Sequence, residues 1–196
     1  MFLPAPVCPR IVVPQHTLGS NLARHGASYD PLGWARDSGA CLLQGFEAST
    51  PDDFSLFAQS LGLTPFDSTE SAAPRVKVAP YVYTANEAPA SEAIPFHHEM
   101  AQCARHPDYV LFFCETPAQQ YGATPIVLSR EVASYFRRAF PTATKQLEER
   151  GIRYVRTLPL VTDAASPIGR SWKQTYGASR AAAEATLGAR GMEWRW

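Results

Sequence analysis

The stretches of this chain that can form strands are short and lie between glycines, prolines and turn residues. They fall at 40–44, 76–83, 94–99, 109–114, 124–128 and 152–158. The strongest, 109–114, joins Tyr109, Val110, Leu111, Phe112, Phe113 and Cys114 without a charge or a glycine, as a strand on a packed sheet requires. Pro95 suits the 94–99 run to a sheet edge, because proline cannot donate to a ladder.

Helix signals lie around these runs. Thr50-Pro51-Asp52-Asp53 reads as a start: a capping hydroxyl, a proline at the first helical position and an acid at the capping-box position. Phe54, Phe57, Ala58 and Leu61 form its stripe, and Gly62 can stop it. Ser129 reads as the cap of a second helix, with Val132, Tyr135, Phe136, Ala139 and Phe140 on one face. Pro141 interrupts that helix, another ends at Gly151, and Ser179 can cap an alanine-rich helix reaching Leu187. A short helix is also expected around 18–25. Many short strands with helices outside them predict a mixed α/β, β-rich fold, not an alternating nucleotide-binding pattern.

The 196 residues suit one domain, read as an irregular lead-in over 1–39 and a folded domain over 40–196. Eighteen basic and eighteen acidic side chains leave no global field for nucleic acid or an anionic membrane, so neither is expected as a partner. The balance is uneven along the chain: residues 1–129 carry 6 basic and 12 acidic groups, residues 130–196 carry 12 and 6. Cys8, Cys41, Cys103 and Cys114 form no CxxC and no zinc-knuckle spacing, which reads as reduced thiols in a cytoplasmic protein. No leader pattern or membrane span is recognisable.

His97-His98-Glu99 carries the spacing of most chemical interest. In a strand, His97 and Glu99 share one face and His98 takes the other, so an imidazole and a carboxylate can offer adjacent ligands to an N/O-binding metal. The bland alternative is a polar surface contact and a solvated acid. No HExxH helix, phosphate-binding glycine loop or GxSxG elbow occurs, and no placed base accompanies Cys103 or Cys114. No side chain is therefore assigned as a catalytic acid, base or nucleophile.

Taken in order, Val78-Ala79-Pro80-Tyr81-Val82-Tyr83-Thr84, Ile94-Pro95-Phe96-His97-His98-Glu99-Met100, Leu111-Phe112-Phe113-Cys114-Glu115-Thr116-Pro117 and Gly122-Ala123-Thr124-Pro125-Ile126 resemble the TauD/TfdA branch of iron(II)- and 2-oxoglutarate-dependent dioxygenases. The likeness is strongest over 74–130. It continues through Gly151-Ile152-Arg153-Tyr154-Val155-Arg156 and Ser171-Trp172-Lys173-Gln174-Thr175-Tyr176-Gly177 to Trp196, and is faint before position 40.

The resemblance implies a partial double-stranded β-helix, jelly-roll-like with supporting helices. It implies Fe(2+) and 2-oxoglutarate as cofactor and cosubstrate, and oxidation of a small organic substrate. It gives His97 and Glu99 the metal-ligand roles and Thr124 a part in holding a 2-oxoglutarate carboxylate. Tyr81, Tyr83 and Asn86 fall in the region of a substrate pocket, with strand packing and turn capping as the alternatives. Tyr121 stands where relatives often carry a small residue; its bulk alters the local path or covers a cavity.

The chain's histidines are His16, His25, His97, His98 and His106, and none matches the family's distal ligand. The expectation is thus the N-terminal part of the fold, C-terminally incomplete, lacking the distal His and Arg and inactive or very weak alone. The competing reading is a non-catalytic assembly module whose exposed sheet is completed by a protein partner or a second copy. A zinc hydrolase is a poorer third.

Overall fold

The computed structural model describes residues 8–15, 20–66, 75–85, 93–103, 105–163, 166 and 169–196. The chain divides into two compact units: Met1–Pro65 with Val76–Thr84 and Leu111–Gly122, and Phe66–Arg75 with Ala85–Val110 and Ala123–Trp196.

In the first unit, β1 (Arg10–Val12) pairs in parallel with β2 (Cys41–Leu43), Ile11 opposite Leu42. Between them lie α1 (Leu22–His25), a 3-10 turn (Gly26–Tyr29) and α2 (Pro31–Ser38). Both β1 and α2 fall in the stretch read as an irregular lead-in. Gly33 there reads as a helix breaker, but it is part of the helix start. The Asp30 carboxylate folds over the first turn to accept the Gly33 N–H at 3.1 Å, and a Cβ at Gly33 would collide with that carboxylate. Asp30 is a left-handed cap (φ 50°), Pro31 fills the first helical position, and Gly39 (φ 96°) ends the helix.

α3 (Pro51–Ser60) begins as its sequence predicts. The Asp53 N–H donates to Thr50 Oγ1, while Asp53 Oδ2 accepts from the Ser49 N–H, the Thr50 N–H and the Thr50 hydroxyl at 3.1, 3.0 and 2.8 Å. These donors hold the Asp53 carboxyl below its ordinary value, the Ser49 amide contributing most. Phe54 and Phe57 are buried with Leu22, Ala79 and Val82, and Phe113 stacks on Phe54 at 5.3 Å.

The buried Ser55 hydroxyl donates to the Pro80 carbonyl at 2.6 Å, seating α3 on the hairpin of β3 (Lys77–Ala79) and β4 (Val82–Tyr83). The run 76–83 is thus two strands, not one. Pro80 has no N–H for a ladder, and Tyr81, at φ 63°, makes the turn. Tyr121 (φ 58°) is fully exposed, so its bulk covers nothing there, and its left-handed backbone is one that glycine adopts at less cost.

The second unit carries α4 (Ser129–Ala139), α5 (Pro141–Arg150), α6 (Trp172–Tyr176) and α7 (Arg180–Ala189). Ser171 caps α6 and Ser179 caps α7. Tyr176, Ala183 and Leu187 form a core with Leu158, Trp172 and Met192. Arg137 Nε donates to Glu148 Oε1 at 3.0 Å, tying α4 to α5.

Among the described residues the ladders are these two, so helices outweigh strands and a double-stranded β-helix is not traced. The runs 94–98, 109–114, 124–128 and 152–158 are unladdered. In 109–114 the side chains still alternate: Tyr109, Leu111 and Phe113 are half-buried, Val110, Phe112 and Cys114 exposed. The letters set the phase of burial, but a strand also needs a neighbour's donors and acceptors.

Candidate functional site

The segment 93–98 is neither helix nor strand, Glu99 begins a turn, and Met100 takes a left-handed backbone (φ 58°) with its side chain buried. The His97 ring and the Glu99 carboxylate come together, Nε2 to Oε2 at 4.0 Å. His97 Nδ1 lies 2.8 Å from the Pro95 carbonyl. A carbonyl only accepts, so Nδ1–H donates to it and the ring turns Nε2 toward the carboxylate.

Glu99 is held from its other side. Arg75 Nη2 donates to Glu99 Oε1 at 2.9 Å, both side chains mostly buried. An Arg was not anticipated at this position. The available signal is that Arg75 and Lys77 are the sole cations between Arg36 and Arg105 in an acid-rich part of the chain.

At 4.0 Å Nε2 and Oε2 stand too far apart for a hydrogen bond. A cation between them would be met by both. Metal–ligand bonds of about 2.1 Å at a right angle place two ligands about 3 Å apart. The pair must close by about 1 Å, a movement open to His97, whose side chain is 57% exposed. The donor chemistry fits two positions of an N/O metal site, and among the described residues no third His, Cys, Asp or Glu joins them.

His98, expected to face away from His97, does so only in part. Its Nε2 meets Ser129 Oγ at 2.5 Å, yet both imidazoles line one cavity of about 480 Å³. Phe96, Val127, Val132, Ala133 and Phe136 form its apolar walls, with Arg137 and Thr144 at the α4–α5 side; Glu99 and Thr124 are not among the lining residues. Face alternation fails here because the segment has no ladder to hold its pleat.

Ser129 is also not the cap expected from its sequence. Leu128 is the N-cap residue of α4, and the Ser129 hydroxyl is engaged by His98 instead. Thr124 is exposed in the extended run leading into α4. Tyr81 and Tyr83 belong to the first unit, 59% and 44% exposed on the β3–β4 hairpin. Asn86 lies outside the described residues. Cys8, Cys41 and Cys114 are free thiols, and burial raises Cys41 despite the opposing pull of Arg10.

Comparison with known proteins gives a family model, Taurine catabolism dioxygenase TauD, TfdA family, matching residues 15–180. A clavaminate synthase-like protein of Arabidopsis thaliana is 43% identical over 140 residues, 71% of this chain and 42% of the relative. The dapdiamide synthesis protein DdaC of Enterobacter agglomerans is 31% identical over 120 residues, 61% of this chain and 36% of the relative. The chain thus spans about two fifths of the length of these curated relatives. Among the described residues no helix is long and apolar enough to cross a membrane.

Proposed function

The chain belongs to the TauD, TfdA dioxygenase family, and from that premise we propose that it carries the His-x-Glu part of an iron(II)- and 2-oxoglutarate-dependent oxygenase site acting on a small organic substrate in the cytoplasm. The observation that carries the proposal is the approach of one imidazole nitrogen and one carboxylate oxygen. His97 Nε2 and Glu99 Oε2 face each other at 4.0 Å, the remaining polar atoms being committed to Pro95 and Arg75. His97 and Glu99 would hold the iron; when bound, it supplies the activation of dioxygen against 2-oxoglutarate, chemistry no side chain has by itself.

The chain's own residues orient and exclude. The Pro95 carbonyl accepts from His97 Nδ1 and so orients the ring, as an acceptor behind a ligating imidazole does. Arg75 takes up one oxygen of Glu99 and leaves the other free. The hydrogen bond of His98 to Ser129 ties the ligand segment to the start of α4, whose Val132 and Phe136 keep the neighbouring cavity apolar. A cavity of about 480 Å³ suits a small organic molecule. Thr124 is proposed, by family match alone, as a contact to a 2-oxoglutarate carboxylate, and Tyr81, Tyr83 and Asn86 as contributors to substrate recognition.

With two protein ligands, the 196-residue chain by itself binds iron(II) weakly and does not sustain turnover. Anaerobic iron(II) titration of the monomer, followed by an oxygen-dependent succinate assay, tests this. Weak binding that disappears in His97→Ala, with at most substoichiometric succinate, is the expected result. Tight one-to-one binding with repeated His97-dependent succinate formation by the monomer overturns it. A second reading, an assembly module, draws on the exposed apolar side chains of the unladdered runs, among them Phe112 (71% exposed) and Val155 (86%). Activity that appears only in an oligomeric fraction would favour a site completed between chains.

A further inference from the structure

The Arg75–Glu99 pair is not built as a stand-alone ion pair. Arginine and carboxylate usually meet fork to fork, with Nε and one Nη each donating to its own oxygen. Here only Nη2 donates, to Oε1 at 2.9 Å. Arg75 Nε is buried and, among the described residues, has no hydrogen-bond partner. The oxygen it would take in the forked geometry, Oε2, is turned instead to His97 Nε2. Leaving a buried N–H of a guanidinium unsatisfied is unfavourable, and turning Oε2 toward His97 Nε2, at 4.0 Å, gains the carboxylate no hydrogen bond to replace the one forgone. The half-used fork is the geometry of a carboxylate held by one oxygen so that the other stays available.

We infer that Arg75 is a positioning residue that makes Glu99 a one-oxygen ligand, pinning Oε1 and presenting Oε2 beside His97. The inference deepens the proposed oxygenase reading and rests on it for the identity of what Oε2 receives. The guanidinium remains charged under all working conditions, so it holds Oε1 without itself competing for a metal. Lysine could supply the charge but not the planar donor set, and so restores the arrangement only in part.

Two measurements on the 196-residue chain separate the positioning from the metal chemistry. The first needs no metal: side-chain three-bond couplings of Glu99 by nuclear magnetic resonance. One dominant rotamer is expected in the parent chain, rotamer averaging in Arg75→Ala and an intermediate value in Arg75→Lys. Hydrogen exchange at the α7 amides serves as the folding control. A Glu99 equally fixed in Arg75→Ala overturns the inference.

The second is a double-mutant cycle read by calorimetric titration with Mn(II) alone. Arg75→Ala is expected to weaken binding about tenfold in the parent background. In the Glu99→Gln background it should change nothing, because Arg75 acts only through Glu99. Equal losses in both backgrounds overturn the inference, since a general electrostatic or structural effect would be additive. Infrared difference spectra of the Mn(II) form add a signature. A wide separation of the carboxylate stretches is expected in the parent chain and a narrowed one in Arg75→Ala, as both oxygens of Glu99 become free to bind; unchanged spectra count against it. If Glu99 is fixed by Arg75 but no Mn(II) binds to the parent chain, the metal reading fails and the positioning stands.

Discussion

Replacing Phe113 and Phe112 separately by alanine tests whether the unladdered run 109–114 has the phase given it here. Phe113 is half-buried, with its ring stacked on Phe54 at 5.3 Å and an interplanar angle of 15°. Truncating a fully buried Phe costs about 3–5 kcal/mol, and a stacked ring pair contributes about 0.5–1.5 kcal/mol beyond its area. Discounting the first figure for partial exposure gives about 3 kcal/mol for Phe113→Ala.

Phe112 is 71% exposed. The remaining third or so of a side chain of about 200 Å², at about 25 cal/mol per Å², bounds its contribution near 1.5 kcal/mol; a realistic, more compact unfolded reference brings that to about 1 or less. The two variants should therefore differ by about 2 kcal/mol. With a urea slope of about 2 kcal/mol per M, their midpoints should stand about 1 M apart, Phe113→Ala being the lower, when unfolding is followed by far-ultraviolet circular dichroism. Equal midpoints, or a lower one for Phe112→Ala, would refute the assigned phase and the packing of Phe113 on α3.

Other expectations follow from single features. Asp53 has a folded-state acidity stronger than its unfolded one, so its contribution is present above the unfolded value, about 3.9, and is lost as pH falls through the folded value. The stability difference between parent and Asp53→Asn should therefore shrink as urea midpoints are taken from about pH 6 to about pH 2, whereas a constant gap would show that the capping carboxylate is not the cause. Gly26→Ala sets a methyl group 2.7 Å from Phe57 Cε2 and 2.9 Å from Leu22 Cδ1, and should cost about 1–3 kcal/mol by overpacking. Gly151→Ala meets no atom within 4 Å but requires φ 72°, so about 1 kcal/mol of backbone cost is expected there; the reverse order in thermal melts would contradict both assignments.

What could be read from the sequence was local chemistry. The Thr50–Asp53 capping box, the stop at Gly151 and the Ser179 cap each depend on residues within four positions of one another, and each is present. α2 lies beyond the helix expected around 18–25, since Gly26, Pro31 and Gly33 together blur any helix limit there, although Asp30-Pro31 supplies its cap and first position. Of the apolar runs outside the two ladders, 109–114 keeps the alternating burial its letters suggest, but none is laddered, since a strand's partner is specified by residues far away in the chain.

The site divides in the same way. The His97–Glu99 approach follows from a two-residue spacing, whereas Arg75 reaches Glu99 across 24 positions, hinted at only by the scarcity of cations in that stretch. Ser129 shows a local signal overridden by a distant one: a hydroxyl well placed to cap α4 is taken by His98, 31 positions upstream.

The central claim is that His97 and Glu99 form adjacent ligands of one metal ion. Its most direct test is the map of paramagnetic broadening produced by substoichiometric Mn(II) in the spectrum of the isotopically labelled chain. Signal loss should centre on residues 95–99 and on the Arg75 Nε–H, and should vanish in His97→Ala. Broadening centred on exposed acids such as Glu148 and Glu149 with residues 95–99 untouched, or a pattern unchanged in His97→Ala, would contradict it.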